Sequence, residues 1–221
     1  MAPPVVAAPR LPSVPEPATL DALSDDAHLD EVALSGGVAV DLAVRGLTLT
    51  ATTVTGVRLP GAALAGLEAA DVVWEDCDLA GVDLTGAMLR RVELRGCRLS
   101  GAILTDLVAH DVRLVDCKAD EAWCRNARIE RAELAGCDLT GSDWYQARLT
   151  DVRFVGSRLD GAELSKARLA GVALHGTTLT GLRGADALRK VTIAGDQVVD
   201  VALAVFPGLG IRVDDGYLDA D

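Results

Sequence analysis

Four cysteines stand at equal intervals, Cys77, Cys97, Cys117 and Cys137, each twenty residues from the next. Four thiolates around one ion make a structural zinc site, and thiols brought close enough pair as disulfides. The three histidines, His28, His110 and His175, are far apart and lie in unlike contexts. They form no Ser-His-Asp, Cys-His or HExxH arrangement. Glycines are frequent, but they recur at a fixed interval and do not cluster into a phosphate-binding loop. Whether the thiols converge depends on the elements that carry them.

Those elements follow a ruler of five residues, in phase from Glu31 to Ala185. In DCDLA–GVDLT–GAMLR–RVELR–GCRLS–GAILT, from Asp76 to Thr105, every fourth slot is large and apolar. Over the whole stretch that slot is Leu 19 times, and Val44, Val54, Trp74, Ile129, Trp144 and Phe154 also fill it. Ala39, Ala69, Ala109, Ala119, Cys124 and Gly184 are its exceptions. The second slot is usually small or medium and apolar, sometimes Leu, Ser or Thr, and the first is Gly 16 times, Asp seven times and Asn once. A period of five matches neither a strand, which repeats every 2 residues, nor a helix, at 3.6. It predicts a solenoid whose stacked repeats share one core, with two inward residues per unit and a turn-tolerant residue at each corner.

Two residue files point to four units per coil. The cysteines fall on one face if a coil has twenty residues, and Ser157 and Thr177 continue the file. On the next face Glu93, Arg113, Glu133 and Arg153 alternate in sign at the same interval, which stabilises neighbouring rungs modestly. In this arrangement the thiols stack about 4.8 Å apart with parallel side chains. They cannot surround one metal, and they fit adjacent disulfides badly. The expectation is therefore small buried hydrophobes, with no catalytic residue, no metal, no cofactor and no enzyme activity.

At AGVDLTGAML, AELAGCDLTGSDW and GSRLDGAELSKARLAGVAL the chain resembles the pentapeptide repeat family, whose unit is Ala-Asp/Asn-Leu-x-x. The resemblance covers residues 31–185. It implies an all-β solenoid, a right-handed quadrilateral β-helix with four units per coil and the Leu slot at the centre. Central aromatics are rarer here than in the family.

Around this rod the chain divides as follows. Residues 1–18 hold six of the eight prolines and are expected to be a disordered tail. Residues 19–30 form an N-terminal cap in which Leu20, Leu23 and Leu29 plug the open end. Between Asp106 and Arg125 the central slots shrink to Ala109, Ala119 and Cys124, and Trp123 takes an outward slot. The pattern allows either a local repacking with Trp123 lying over the surface, or a bend or contact patch that exposes Trp123 to a partner. Residues 186–213 form a C-terminal cap with strands at Val191–Ala194 and Gly210–Val213 and a helix over 196–206. Val198, Val201, Ala202 and Val205 share one helix face, and Val199, Leu203 and Phe206 another. With one face on the coil end, Val198, Val201, Ala202, Val205 and Phe206 are the candidate contacts of a homodimer. Residues 214–221 are an acidic tail. The chain has no continuous apolar run of membrane length and no recognisable secretory leader, and its unpaired cysteines suit a reducing cytoplasm.

Function rests on charge. Some pentapeptide repeat proteins mimic DNA and act on gyrase or topoisomerase, protecting it from quinolones or toxins. The segment VTIAGDQVVDVALAVFPGLGIRV resembles the end of the mycobacterial member of that group, where a helix makes the dimer. The net charge of −12 would suit such a role. However, residues 31–185 carry 21 acidic and 17 basic residues, so most of the excess lies outside the rod. Arg128, Arg148 and Arg168 would stack on one face and break a continuous negative surface. The leading expectation is a non-enzymatic protein-interaction module whose partner patch is Trp123, Arg128, Arg148 and Arg168. The alternative is a DNA-mimic modulator of gyrase or topoisomerase. Direct nucleic-acid binding is disfavoured by the acidic balance.

Overall fold

The computed structural model describes residues 5–213. Its centre is a parallel β-solenoid of four sides. On two sides the rungs are the halves of eight-residue strands, Glu68–Glu75, Met88–Arg95, Val108–Val115, Arg128–Ala135 and Arg148–Val155. On the other two they are single bridges, such as Lys118↔Asp138 and Trp123↔Asp143. Partners differ by 20 residues from Ala33↔Thr53 to Arg153↔Ala173. The coil therefore contains four units.

Corners explain the ruler. Every first slot from Glu31 to Gly181 is left-handed, with φ between 47° and 75°. Gly, Asp and Asn tolerate that region best, which accounts for their dominance there. At Gly136 an added Cβ would also meet Asp116 Oδ1 on the coil below, and that carboxylate would have to turn aside. Two of the four corners are closed by a turn bond, as from Ala122 N–H to Ala119 O (3.4 Å) and Ala127 N–H to Cys124 O (3.2 Å). The other two carry no such bond, and the eight-residue strands run through one of them.

The core is the fourth slot. Leu34, Leu49, Leu59, Leu64, Leu139, Leu149, Leu159, Leu174 and Leu179 are almost wholly buried. Each buried Leu contributes roughly 1.5–3 kcal/mol. The thinned coil leaves an apolar cavity of about 70 Å³ lined by Ala109, Leu114, Ala119 and Cys124 among others.

Both ends depart from the expected boundaries. The solenoid starts before Glu31: His28–Asp30 pairs in parallel with Thr48–Thr50, and Glu16–Ala18 with Val32–Leu34. Ladder bonds are made by the backbone and need no ruler in the side chains. Leu23 is buried and Leu20 and Leu29 half-buried, with only a 3-10 turn at Leu20–Ala22. Residues 5–18 are not a disordered tail. They run along the outer wall, where Arg10 N–H donates to Asp71 Oδ1 (2.9 Å) and Ala7 N–H to Asp111 Oδ1 (3.3 Å).

At the C-terminal end the register slips to 19 residues, Thr192–Ile193 pairing with Ala173–Leu174. Gln197, buried, donates from Nε2 to Thr177 O (2.9 Å) and accepts from Ala194 N–H (3.1 Å), seating the helix on the last coil. The helix proper is Val198–Val205, between 3-10 turns at Gly195–Gln197 and Phe206–Leu209. This seating corrects the expected dimer face. Val201 and Val205 pack against the chain's own core, while Ala202 and Phe206 are half-buried. The residues left exposed are Val198, Val199 and Leu203. The expected strand Gly210–Val213 is also absent. Gly210, at φ 72°, donates to Phe206 O and Pro207 O and turns the chain back, so no straight edge is presented. The acidic tail expected at 214–221 lies outside the described residues.

Candidate functional site

The thiols of Cys77, Cys97, Cys117 and Cys137 lie in single file and are not paired as disulfides. All five cysteines are free and buried. Cys77 donates its S–H towards Glu75 O (3.2 Å) and Val54 O (3.4 Å), and Cys97 towards Arg95 O (3.4 Å) and Trp74 O (3.6 Å). Ser157 Oγ makes the equivalent bonds to Val155 O (3.3 Å) and Leu134 O (3.0 Å). A hydroxyl thus replaces the thiol with the same contacts, which marks the slot as a structural bond to the corner. The neighbouring Cys117 thiol, with burial, pushes Cys97 up to about 11; Cys137 and burial push Cys117 up to about 12. Both are protonated at neutral pH and poor nucleophiles.

Two charge ladders neutralise themselves. On one face Arg113 Nη1 lies 4.0 Å from Glu93 and its Nε 3.6 Å from Glu133, and Arg153 pairs with Glu133 from above. On the adjoining corner Arg91 pairs with Asp71, and Arg131 grips Asp111 through Nε and Nη2, both at 2.9 Å. The side-chain bonds from Arg91 and Arg131 hold the Asp71 and Asp111 carboxyls below the usual carboxylate range, outweighing their burial. His110 Nδ1 sits 3.3 Å from Glu130.

The third file is different. Arg128, Arg148 and Arg168 lie in register, Cα opposite Cα, on three successive coils. All three are exposed, and none makes an ion pair among the described residues. Charges held at the rung spacing of about 4.8 Å would repel by about 1 kcal/mol per pair in water, and the long exposed side chains lower this by splaying apart. Trp123, 52% exposed, occupies the adjoining side, across the corner at Asn126. Its ring is partly covered by the Arg125 guanidinium at 5.8 Å, itself held by Asp143 at 2.6 Å. The sequence-derived patch is therefore a file of three arginines with Trp123 around the corner.

Tyr145 and Lys166 were missed by sequence reasoning. Lys166 Nζ bonds Tyr145 OH at 2.6 Å and stands 5.0 Å over its ring. Arg125 and Tyr145 occupy equivalent slots on successive coils, and Lys166 follows that slot on the next coil, so a twenty-residue alignment of outward slots would have grouped them. Lys166 adds positive charge beside the arginine file, whereas that of Arg125 is offset by Asp143.

Residues 87–164 match the pentapeptide repeat region family. No curated protein matches the chain at significance. Similar solved structures include QnrB1, a plasmid-mediated fluoroquinolone resistance protein, at 19% identity and TM-score 0.48, over 89% of this chain and 96% of that one. They also include HetL, a pentapeptide repeat protein involved in heterocyst differentiation regulation from the cyanobacterium Nostoc, at 19% identity and TM-score 0.36, over 76% and 87%.

Proposed function

The chain belongs to the pentapeptide repeat proteins, and we propose that within that family it is a non-enzymatic interaction module. Its contact surface is the Arg128–Arg148–Arg168 file, and its partner is a protein with an acidic face. One observation carries the reading. On two neighbouring ladders arginine alternates with carboxylate, whereas here arginine stacks on arginine and, among the described residues, makes no ion pair. An incoming acidic surface would pair with the three guanidinium groups. Trp123 and the Tyr145–Lys166 pair flank the file and supply apolar and cation–π contact at its edge.

The same file argues against a DNA mimic, which needs unbroken negative potential along the rod. The test is fluorescence anisotropy of a labelled oligo-glutamate peptide at low and high salt. Binding should weaken with salt and vanish in Arg128→Glu/Arg148→Glu/Arg168→Glu. If the triple variant binds as the wild type does, the reading fails. Gyrase supercoiling measured alongside separates the alternative: inhibition that survives the triple substitution would move DNA mimicry ahead.

A further inference from the structure

The proline-rich segment ahead of the solenoid has a period of its own. Val6 is buried, Pro9, Pro12 and Pro15 are half-buried, and every residue between them is exposed, up to the strand at Glu16–Ala18. A β-strand would alternate every two residues; a period of three belongs to the polyproline-II helix. The reach agrees. Arg10 bonds Asp71, and Ala7, three residues earlier, bonds Asp111 two coils further on. Two rungs span about 9.6 Å, three polyproline-II residues about 9.3 Å and three strand residues about 9.9 Å, so the reach requires an extended arm and the burial period of three selects polyproline-II.

The corner beneath is built to that spacing. Asp71, Arg91, Asp111 and Arg131 alternate along it, so carboxylate acceptors recur every second coil. Each Asp Oδ1 takes the Nε–H of the arginine above and the backbone N–H of the arm. The inward prolines have no N–H to lose, and the residue after Pro9 supplies the donor to Asp71. The side chains of Ala7 and Arg10 themselves are exposed. The corner thus reads backbone donors and a three-residue repeat.

We infer that the Asp71–Asp111 corner is a docking groove for polyproline-II segments, filled in cis by residues 6–12 and open in trans to a proline-rich segment of a partner protein once the arm leaves. A segment with a proline every third residue and a free N–H after it meets the same acceptors, and it arrives already extended. The tethered arm competes at high effective concentration and keeps the groove closed. This surface is separate from the arginine file and does not depend on it.

The test uses the full chain. Ala7→Pro/Arg10→Pro removes both arm donors, remains compatible with an extended arm, and leaves the groove untouched. The probe is a labelled peptide of residues 3–14, PPVVAAPRLPSV, with a control of equal composition whose prolines leave the three-residue spacing. The double variant should bind the probe about tenfold or more tighter than the wild type does and should ignore the control. Adding Asp71→Asn/Asp111→Asn should weaken that binding. Hydrogen exchange of the wild type should show the Ala7 and Arg10 amides protected. Equal binding of probe and control, no binding to the double variant, or unprotected amides would overturn the proposal. A concentration-dependent dimer that disappears in the double variant would assign the groove to a second copy's arm instead of a partner protein.

Discussion

Two coils of the same rod obey the same ruler and are packed in opposite ways. In one, the central slots are Ala109, Leu114, Ala119 and Cys124, and a cavity of about 70 Å³ remains. In the other they are Leu139, Trp144, Leu149 and Phe154. There Trp144 and Phe154 meet edge to face at 6.1 Å. Trp144 Nε1–H donates to Ser142 Oγ (2.7 Å), whose hydroxyl donates to Leu139 O (2.6 Å). About 10 Å³ is empty beside Phe154, at most the room of a single water. Yet Val108–Val115 and Arg148–Val155 are strands of equal length in the same register with Arg128–Ala135 between them. The coil's shape is therefore set by the corners and the ladder, and the central side chains set only how densely it is filled.

The comparison can be broken most directly at Trp144. Trp144→Ala should cost about 3–5 kcal/mol in urea unfolding, because it deletes a buried aromatic and opens its space toward the existing cavity. Should it cost under about 1 kcal/mol, the two coils are equally loose and the contrast is void.

Adding volume sharpens the contrast from the other side. Ala147→Val, in the filled coil where Ala147 has no exposed surface, should destabilise by about 1–3 kcal/mol through overpacking. Ala119→Val, whose methyls enter the cavity, should stabilise by about 1 kcal/mol. The opposite signs are the readout, and matching signs would refute the packing difference.

The smallest effect separates the core from the corners. Asp71 and Asp111 have folded-state pKa values lowered by Arg91 and Arg131. Their contribution is fully present above the unfolded carboxylate value, about 4, and is lost as pH falls through the folded value. Tm should be level from pH 8 to 5 and decline below about pH 4. Ala119→Val should follow the wild type in parallel, since filling the core leaves the ladder unchanged. A steeper decline in one of them would mean that the corner and the core are coupled.

Much of this was legible before any coordinates. A five-residue period with Gly, Asp or Asn in its first slot calls for repeated left-handed corners, and each first slot from Glu31 to Gly181 has one. The cysteine file and the Glu93–Arg153 alternation disclosed the twenty-residue coil. The shrinkage at Ala109, Ala119 and Cys124 signalled a reduced core, which the structure leaves as a cavity where repacking was the expectation. The Arg128, Arg148 and Arg168 file was visible for the same reason: residues twenty apart are neighbours once the coil size is known. The ends were read less well. Glu16–Ala18 and His28–Asp30 join the ladder through backbone bonds that leave no apolar pattern. Val201 and Val205 lie on an apolar helix face as sequence reasoning had it. Which of the two faces turns to the coil was settled by Gln197 reaching Thr177.

Sequence alone therefore determined the rod, its period, its four-sided coil and its files of stacked side chains. Each of these follows from a local rule repeated many times, and repetition makes a weak local preference unmistakable. Only the tertiary structure decided where the arm lies, which carboxylates it meets and how the helix seats. Those contacts join residues 61 and 104 positions apart, and each occurs once. The three-residue spacing of Pro9, Pro12 and Pro15 acquires its meaning only against acceptors that exist after the coils have stacked.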